Sequence, residues 1–358
     1  MPDDAIAEAR RNMEVCNACR YCEGYCAVFP AMELRRDFTA PDLGYLANLC
    51  HGCRACFYSC QYAPPHEFGI NVPQAFAELR QQSYADHAWP RPFARLFRAN
   101  GTLICLVSAL AIAAVLLLTA LLHGAALFAV HVGPGAFYAV IPYQAMLAVA
   151  AASFLYALLA LAMSTRNFWV STGAGTPGLR AVGRGLRDAL TLKNLGGGGD
   201  GCNDRDEAFS NARRRFHHAM AYGFLFCFGS TTAATFQHYV LGRLAPYAWD
   251  SLPVVLGTVG GLGMMIGTAG LLWLKVTADP APTAPALLGG DYALLVLLLL
   301  VAATGLLLLV LRATSAMGAT LAVHLGLILA LFLLLPYSRF VHALYRTAAL
   351  IRSAMERA

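Results

Sequence analysis

Eight cysteines between Cys16 and Cys60 fall in two runs of one spacing, Cys16-x2-Cys19-x2-Cys22-x3-Cys26 and Cys50-x2-Cys53-x2-Cys56-x3-Cys60. Thiolate is the soft ligand that iron and zinc take up. Three thiolates on a tight turn reach three corners of one iron–sulfur cubane, and the fourth of the run, too remote from the last corner, serves the neighbouring cubane. The spacing predicts two [4Fe–4S] clusters, one on Cys16, Cys19, Cys22 and Cys60 and the other on Cys50, Cys53, Cys56 and Cys26. Zinc on four cysteines is the competing reading, but zinc ordinarily uses paired C-x2-C knuckles. One departure is that Ala27 and Gln61, not proline, follow the fourth cysteines, with Pro30 and Pro64 further on. Helix-favouring residues flank both runs, so the expected fold here is an α-helical ferredoxin-like one. His51, inside the second run, is expected to tune a cluster from beside it, and His66 to be a surface or packing residue.

A second set of chemistry-bearing residues lies in apolar sequence. Histidine inside a bilayer span is costly and points to function. His217, His218 and His238 share one apolar stretch; His324 and His342 share another. On one straight helix His324 and His342, 18 residues apart, would face one way, because about 3.6 residues make a turn. Antiparallel helices then pair His217 with His342 at one membrane face and His238 with His324 at the other, each pair able to hold haem b between two imidazoles. His218 is expected to point elsewhere. Polar span-end histidines bonded to backbone or water are the bland alternative, and a single haem is the intermediate case. No C-x-x-C-H occurs, so covalent c-type haem attachment is not expected. His123 and His131 read as interfacial.

The elements that must position these residues follow from composition. Hydrophobic residues make up 58% of the 358 and charged residues 13%, about half the usual charged share. Most of the chain therefore cannot face water. Residues 1–98 carry 11 acidic and 10 basic side chains, net −1, which leaves 9 and 16, net +7, for residues 99–358. The basic excess thus belongs to the membrane part and argues for membrane orientation, not nucleic-acid binding. Uncharged runs predict six transmembrane helices near 103–123, 138–163, 217–241, 253–276, 291–311 and 318–340. Six spans put both termini on one side. The 164–216 loop with its nine Lys/Arg and the tail with Arg339, Arg346, Arg352 and Arg357 lie there too. The positive-inside rule makes that side the cytoplasm, which also suits cysteine ligands. The polar N-terminus has no apolar run of the signal-peptide kind. The expected architecture is all-α: a 2[4Fe–4S] ferredoxin-like domain over 1–98, then a six-helix transmembrane cytochrome b-like bundle over 99–358. GGGGDGC at 196–202 reads as a flexible link, and GTVGGLG at 257–263 as close helix packing through small residues. Cys105 and Cys227 are expected to pack; Cys202 has no assigned role.

Taken together, the eight-cysteine region, the GGGGDGC loop, RRRFHHAMAYGFLFCFGSTTAATFQH and HLGLILALFLLLPYSRFVH resemble the tricarballylate/citrate utilisation protein B family. They also resemble the membrane half of a flavin-fused cobalamin-biosynthesis protein. The last segment is similar to the haem helix of the nitrate reductase gamma subunit, including its 18-residue histidine spacing. The resemblance implies a role in the bacterial inner membrane: reoxidising the reduced flavin of a soluble FAD-dependent dehydrogenase and delivering electrons to membrane quinone. The residues themselves point to clusters and haem; flavoprotein and quinone come from the resemblance alone. A membrane-anchored iron–sulfur sensor or scaffold, or a subunit of another respiratory complex, are the alternatives. Gln237 and Arg339, polar groups near the two haem ends, read as structural.

Overall fold

Every regular element of the computed structural model, which describes residues 2–357, is helical. Five helices precede the membrane: α1 (Pro2–Cys19), α2 (Val28–Glu33), α3 (Ala40–Leu49), α4 (Ala55–Tyr58) and α5 (Val72–His87). Local chemistry sets their ends. The Thr39 hydroxyl accepts the Asp42 N–H at 3.3 Å to cap α3, and Asn71 Oδ1 accepts the Gln74 N–H at 3.3 Å to cap α5. Each of these helices carries proline in its first turn, where no N–H is needed. Arg20 ends α1 in the left-handed region at φ 56, and Arg54, at the matching place in the second cysteine run, has φ 67. The two runs share Cys-x-x-Cys-Arg-x-Cys and make one kind of turn. Met13, Met32, Leu43, Leu46 and Phe76, each 0% exposed, form the core of this head.

Beyond the head come α6 (Asn100–Leu127), α7 (Ala136–Val140), α8 (Tyr143–Ser171), α9 (Leu179–Leu190), α10 (Ala212–Leu241), α11 (Leu252–Val276), α12 (Leu288–Leu311), α13 (Met317–Leu334) and α14 (His342–Glu356). Six helices are long and apolar enough to cross a membrane: α6, α8, α10, α11, α12 and α13. The second span starts at Tyr143 and not near 138, because Pro142 N-caps α8 and the preceding residues fold into the separate α7. The fourth span is bound to the third as its glycines require. A Cβ on Gly223 would come 2.5 Å from Met264 N, one on Gly260 2.7 Å from Cys227 N, and one on Gly267 2.3 Å from Met220 N. Small residues let the α10 and α11 backbones touch, which is how helices associate where lipid removes any hydrophobic drive. Cys227 belongs to that seam; Cys105, expected to pack, is instead exposed on α6.

The sixth span does not continue to 340. Pro336 lacks the N–H that the helix ladder requires, two short 3-10 turns replace it, and Ser338 between them is extended at φ −119, ψ 177. His324 and His342 therefore lie on different helices, and the five-turn phase relation does not hold. The helix that His342 begins, α14, leaves the bundle and clasps the head. Arg35 Nη2 pairs with Glu356 at 2.6 Å, Tyr45 donates to Glu356 at 3.0 Å, and Gly185 of α9 lies against Ile351. Head, α9 and α14 thus share one end of the bundle.

The 196–202 loop is no free link. Gly197, Gly198, Gly199 and Gly201 all have positive φ, and the loop folds onto the second cysteine run. Gly197 has no room for a Cβ, which would meet Gly201 O at 2.0 Å. The Asn203 N–H donates to Cys53 O at 2.9 Å, and Cys202 pairs with Ser210 in a single bridge.

Candidate functional site

The head brings its cysteines together in two groups. Cys16 and Cys22 have Cys19 and Cys60 as near neighbours, and Cys26 has Cys50 and Cys53. Cys56 joins the second group, with Cys22 at its border. This is the crossed arrangement, with the last cysteine of each run sitting in the other run's group. A cavity of about 280 Å³ opens among Cys16, Cys19, Cys22, Cys56 and Cys60, bounded by Val15, Phe29, Tyr62 and Ile70. Burial, then the neighbouring thiols, push Cys16 and Cys22 up to about 12, and burial holds Cys26 and Cys56 well above the ordinary thiol range. Thiols so crowded stay protonated until a metal displaces the protons. Among the described residues no three ligand side chains close on a single-ion position. A zinc ion would draw four sulfurs to about 3.8 Å from one another, whereas a cubane holds them farther apart.

The second group is the more enclosed one. Cys50 and Cys53 are 8% and 7% exposed. Membrane loops press on it: Arg213 reaches Gly52 O, and Arg54 donates to Asp204 O at 2.9 Å and to Thr283 Oγ1 at 2.9 Å. Tyr58 donates to Asp279 Oδ2 at 2.5 Å. Cys202, 0% exposed, packs beside Cys53 and donates its S–H to Leu195 O at 3.1 Å; it is a wall of this group rather than a ligand.

From the second group the chain leads to histidine. His51 donates its Nδ1–H to Leu49 O, 2.8 Å away, and its buried Nε2 has no partner. Its charge neighbours are Arg346, Arg80 and His217. His217 and His342 face each other with ring centres 6.0 Å apart and planes at 88°. Metal–imidazole bonds are about 2 Å long, so two imidazoles on one metal place their ring centres roughly 6 Å apart. His342 Nδ1 meets Arg339 O at 2.5 Å, which leaves Nε2 as the lone-pair nitrogen, and buried His217 Nδ1 is unpartnered. Burial, followed by the Arg346 cation, keeps His51 and His342 well below the usual imidazole range, so both are neutral, the form that binds metal. The donor set, its spacing and its orphaned nitrogen fit two imidazoles sharing one iron, the coordination a bis-histidine haem would need. Towards α8 and the α13–α14 break, α10 is met by aromatic side chains, Phe228 against Phe154 and Phe224 against Phe340.

The other predicted pair is not brought together. His238 stacks on Tyr143 at 3.9 Å and lies 3.4 Å from the Tyr138 hydroxyl, while His324 bonds Thr304 Oγ1 at 3.0 Å and abuts Gly305. The two stand among different elements, His238 against the tyrosines of α7 and α8 and His324 against α12, while the break at Pro336–Ser338 takes His342 out of the register of His324. His218 turns to Tyr222, away from His342. His66 packs edge-on between Tyr62 and Phe68 on the surface, and His131 meets Ala126 O at 3.0 Å. The Gln237 carbonyl accepts from Gly242 and Arg243 at the end of α10, a structural duty. Sequence reasoning missed the Lys275–Asp291–Arg339 ion triad. Asp291, 7% exposed, is gripped by Lys275 Nζ and by Arg339 Nε at 2.5 Å. A lone acid among apolar residues at the start of α12 was the available signal.

The family model for the Citrate utilization protein B Fer4-like domain matches residues 9–86, and that for Citrate utilization protein B matches residues 95–358. Citrate utilization protein B of Escherichia coli is 45% identical over 352 residues, covering 98% of this chain and 92% of the relative. No solved structure matches. With an iron–sulfur-type cysteine head, six membrane-type helices and matches that run nearly end to end, the chain belongs to the citrate utilization protein B family.

Proposed function

We propose that this chain is a one-electron relay of the bacterial inner membrane, taking electrons from the reduced flavin of a soluble FAD-dependent dehydrogenase and delivering them to quinone. The reading divides the chain at residue 98/99, with head, 164–216 loop and C-terminal helix in the cytoplasm. Cys16, Cys19, Cys22 and Cys60 hold one [4Fe–4S] cluster, and Cys50, Cys53, Cys56 and Cys26 the other. His217 and His342 hold one haem b. Bound there, these groups supply single-electron steps between a two-electron flavin and a two-electron quinone. Residues of this chain do the rest. Cys16, Cys19, Cys22 and Cys60 line a cavity at the surface of the head, the natural entry. The 196–210 loop walls off the second group from water. Arg339 O fixes the His342 ring with Nε2 free. The relative is named for citrate utilization, and the reading places this relay in that use.

The observation that carries the reading is the continuity from Cys50 through His51 to His217 and His342 at the end of the bundle where the head sits. The test is the full chain purified in detergent. Iron, acid-labile sulfide and a b-type α-band after dithionite are expected; His217→Ala loses the band and His238→Ala keeps it. Colourless protein, or zinc in place of iron, overturns the reading. Iron and sulfide with no haem band would leave the sensor or scaffold standing. Co-purification of a flavin dehydrogenase tests the partner.

A further inference from the structure

The two cysteine groups differ in the charges around them, and the difference has a direction. Two guanidinium groups converge on the main chain of the second group's first cysteine. Arg80 Nη1 donates to Cys50 O at 2.7 Å and to Ala47 O at 3.2 Å, and Arg346 Nη2 donates to Cys50 O at 2.8 Å. Arg80 is 9% exposed, and Arg346 Nε is buried with no partner. Every hydrogen bond these two arginines make among the described residues ends on a carbonyl, and neither forms an ion pair there with a carboxylate. Besides Arg80, Arg346 has Cys50, Tyr84 and Arg339 as neighbours, the last already taken by Asp291, and both arginines also lie near His51 and His342.

The other cations near the second group have carboxylates beside them: Arg213 pairs with Asp204, and Arg54, bonded to the Asp204 and Asp279 main chains and to Thr283, has the acidic side chains of Asp204 and Asp279 as charge neighbours. At the first group the matching guanidinium is Arg20, exposed and bonded to Asn17 O at 3.0 Å, where water screens it. A buried guanidinium and a half-buried one, side by side without a counter-charge, are expensive in a folded protein. Something negative must stand beside Cys50.

Resting on the proposed function, we propose that Arg80 and Arg346 are charge partners of the second cluster, and that they set its reduction potential above that of the first. A cubane on four thiolates is a net anion and gains one further negative charge on reduction. Buried cations at its side favour the reduced form, and cluster potential follows charge and hydrogen bonding. One electron therefore leaves the Cys16/Cys19/Cys22/Cys60 cluster, oxidising it, and reduces the Cys50/Cys53/Cys56/Cys26 cluster, with the flavin as the source. The gradient points from the open cavity towards His217 and His342. Arg80 and Arg346 touch none of the reacting atoms; they act through the field at Cys50.

The experiment is an EPR-monitored redox titration of the full chain in detergent, after iron and sulfide assays. Cys16→Ser and Cys56→Ser assign the two signals. The second-group midpoint is expected above the first in the unmodified chain, a result that needs no arginine variant. Arg80→Gln and Arg346→Gln are each expected to lower that midpoint alone, while Arg346→Lys, which keeps the charge, stays near the parent. Second-group midpoints at or below the first, or Gln variants that shift neither signal, overturn the proposal. Absence of iron and sulfide would instead defeat the reading of function.

Discussion

Asp291→Asn isolates the ion triad at the end of the bundle where the head sits. Asp291 is 7% exposed and its two oxygens are taken by Lys275 Nζ and Arg339 Nε, whose side chains are 31% and 23% exposed. The amide keeps the shape and removes the charge, so two largely buried cations face each other with no anion between them. Breaking a buried pair in this way costs about 3–5 kcal/mol. Partial exposure of Lys275 argues for the lower end, about 3 kcal/mol. For a membrane part of this size about 1 kcal/mol corresponds to roughly 2–4 °C, so the melting temperature in detergent should fall by about 6–12 °C. The substitution also reaches function. Arg339 O holds His342 Nδ1, and a displaced Arg339 releases that ring. Thermal unfolding followed by dye binding, alongside the reduced haem spectrum, reads both effects. A melting temperature within about 2 °C of the parent, with an unchanged spectrum, refutes the triad's role.

Crossed ligation predicts that Cys60→Ser abolishes the same EPR signal as Cys16→Ser, while Cys56→Ser abolishes the other; loss of one signal by Cys60→Ser and Cys56→Ser together would mean each run serves itself. Gly223→Val should prevent stable assembly, because even a Cβ would sit 2.5 Å from Met264 N and 2.7 Å from Gly260 O. Gly229→Ala, 3.7 Å from Leu256 Cδ1, should express and fold like the parent; equal yields for both would refute the α10–α11 packing. His51 and His342 are neutral in the fold and have depressed pKa values, so acid favours the unfolded chain, which protonates from about pH 6.5 downwards. Stability present above that pH is lost below it, by about 3 kcal/mol at pH 5.5 for the two together. Melting temperatures unchanged from pH 7.5 to 5.5 would contradict this.

Much of the molecule was legible before its structure. Uncharged runs located six spans, the widest miss being the end of the second, expected near 163 and found at Ser171, since lipid tolerates charge so poorly that its absence marks each helix. The doubled Cys-x-x-Cys-Arg-x-Cys turn placed eight thiols on two facing loops, because ligand spacing is local. What escaped were properties that tertiary contacts decide. HLGLILALFLLLPYSRFVH reads as one helix by hydropathy, yet Pro336 cannot donate and Ser338 goes extended, so His342 leaves the register of His324. The run of glycines looked slack in sequence, but Gly197, Gly198, Gly199 and Gly201 adopt a positive φ that lets the loop fit against Cys53 and Ala55. Asp291 was a single acid, and only the folded chain shows Lys275 and Arg339 reaching it from α11 and the α13–α14 break.

That His342 is the first residue of α14 ties two assembly steps together. The same short helix offers an imidazole to the bundle and, fourteen residues later, a carboxylate at Glu356 to Arg35 and Tyr45 of the head. Whatever captures the ring steadies the clasp, and a seated head in turn presents the ring. Thermodynamic linkage makes the coupling equal in both directions. Maturation in the membrane and closure of the soluble portion are thereby one cooperative event, and a chain stalled at either should betray itself to proteases at the α13–α14 joint.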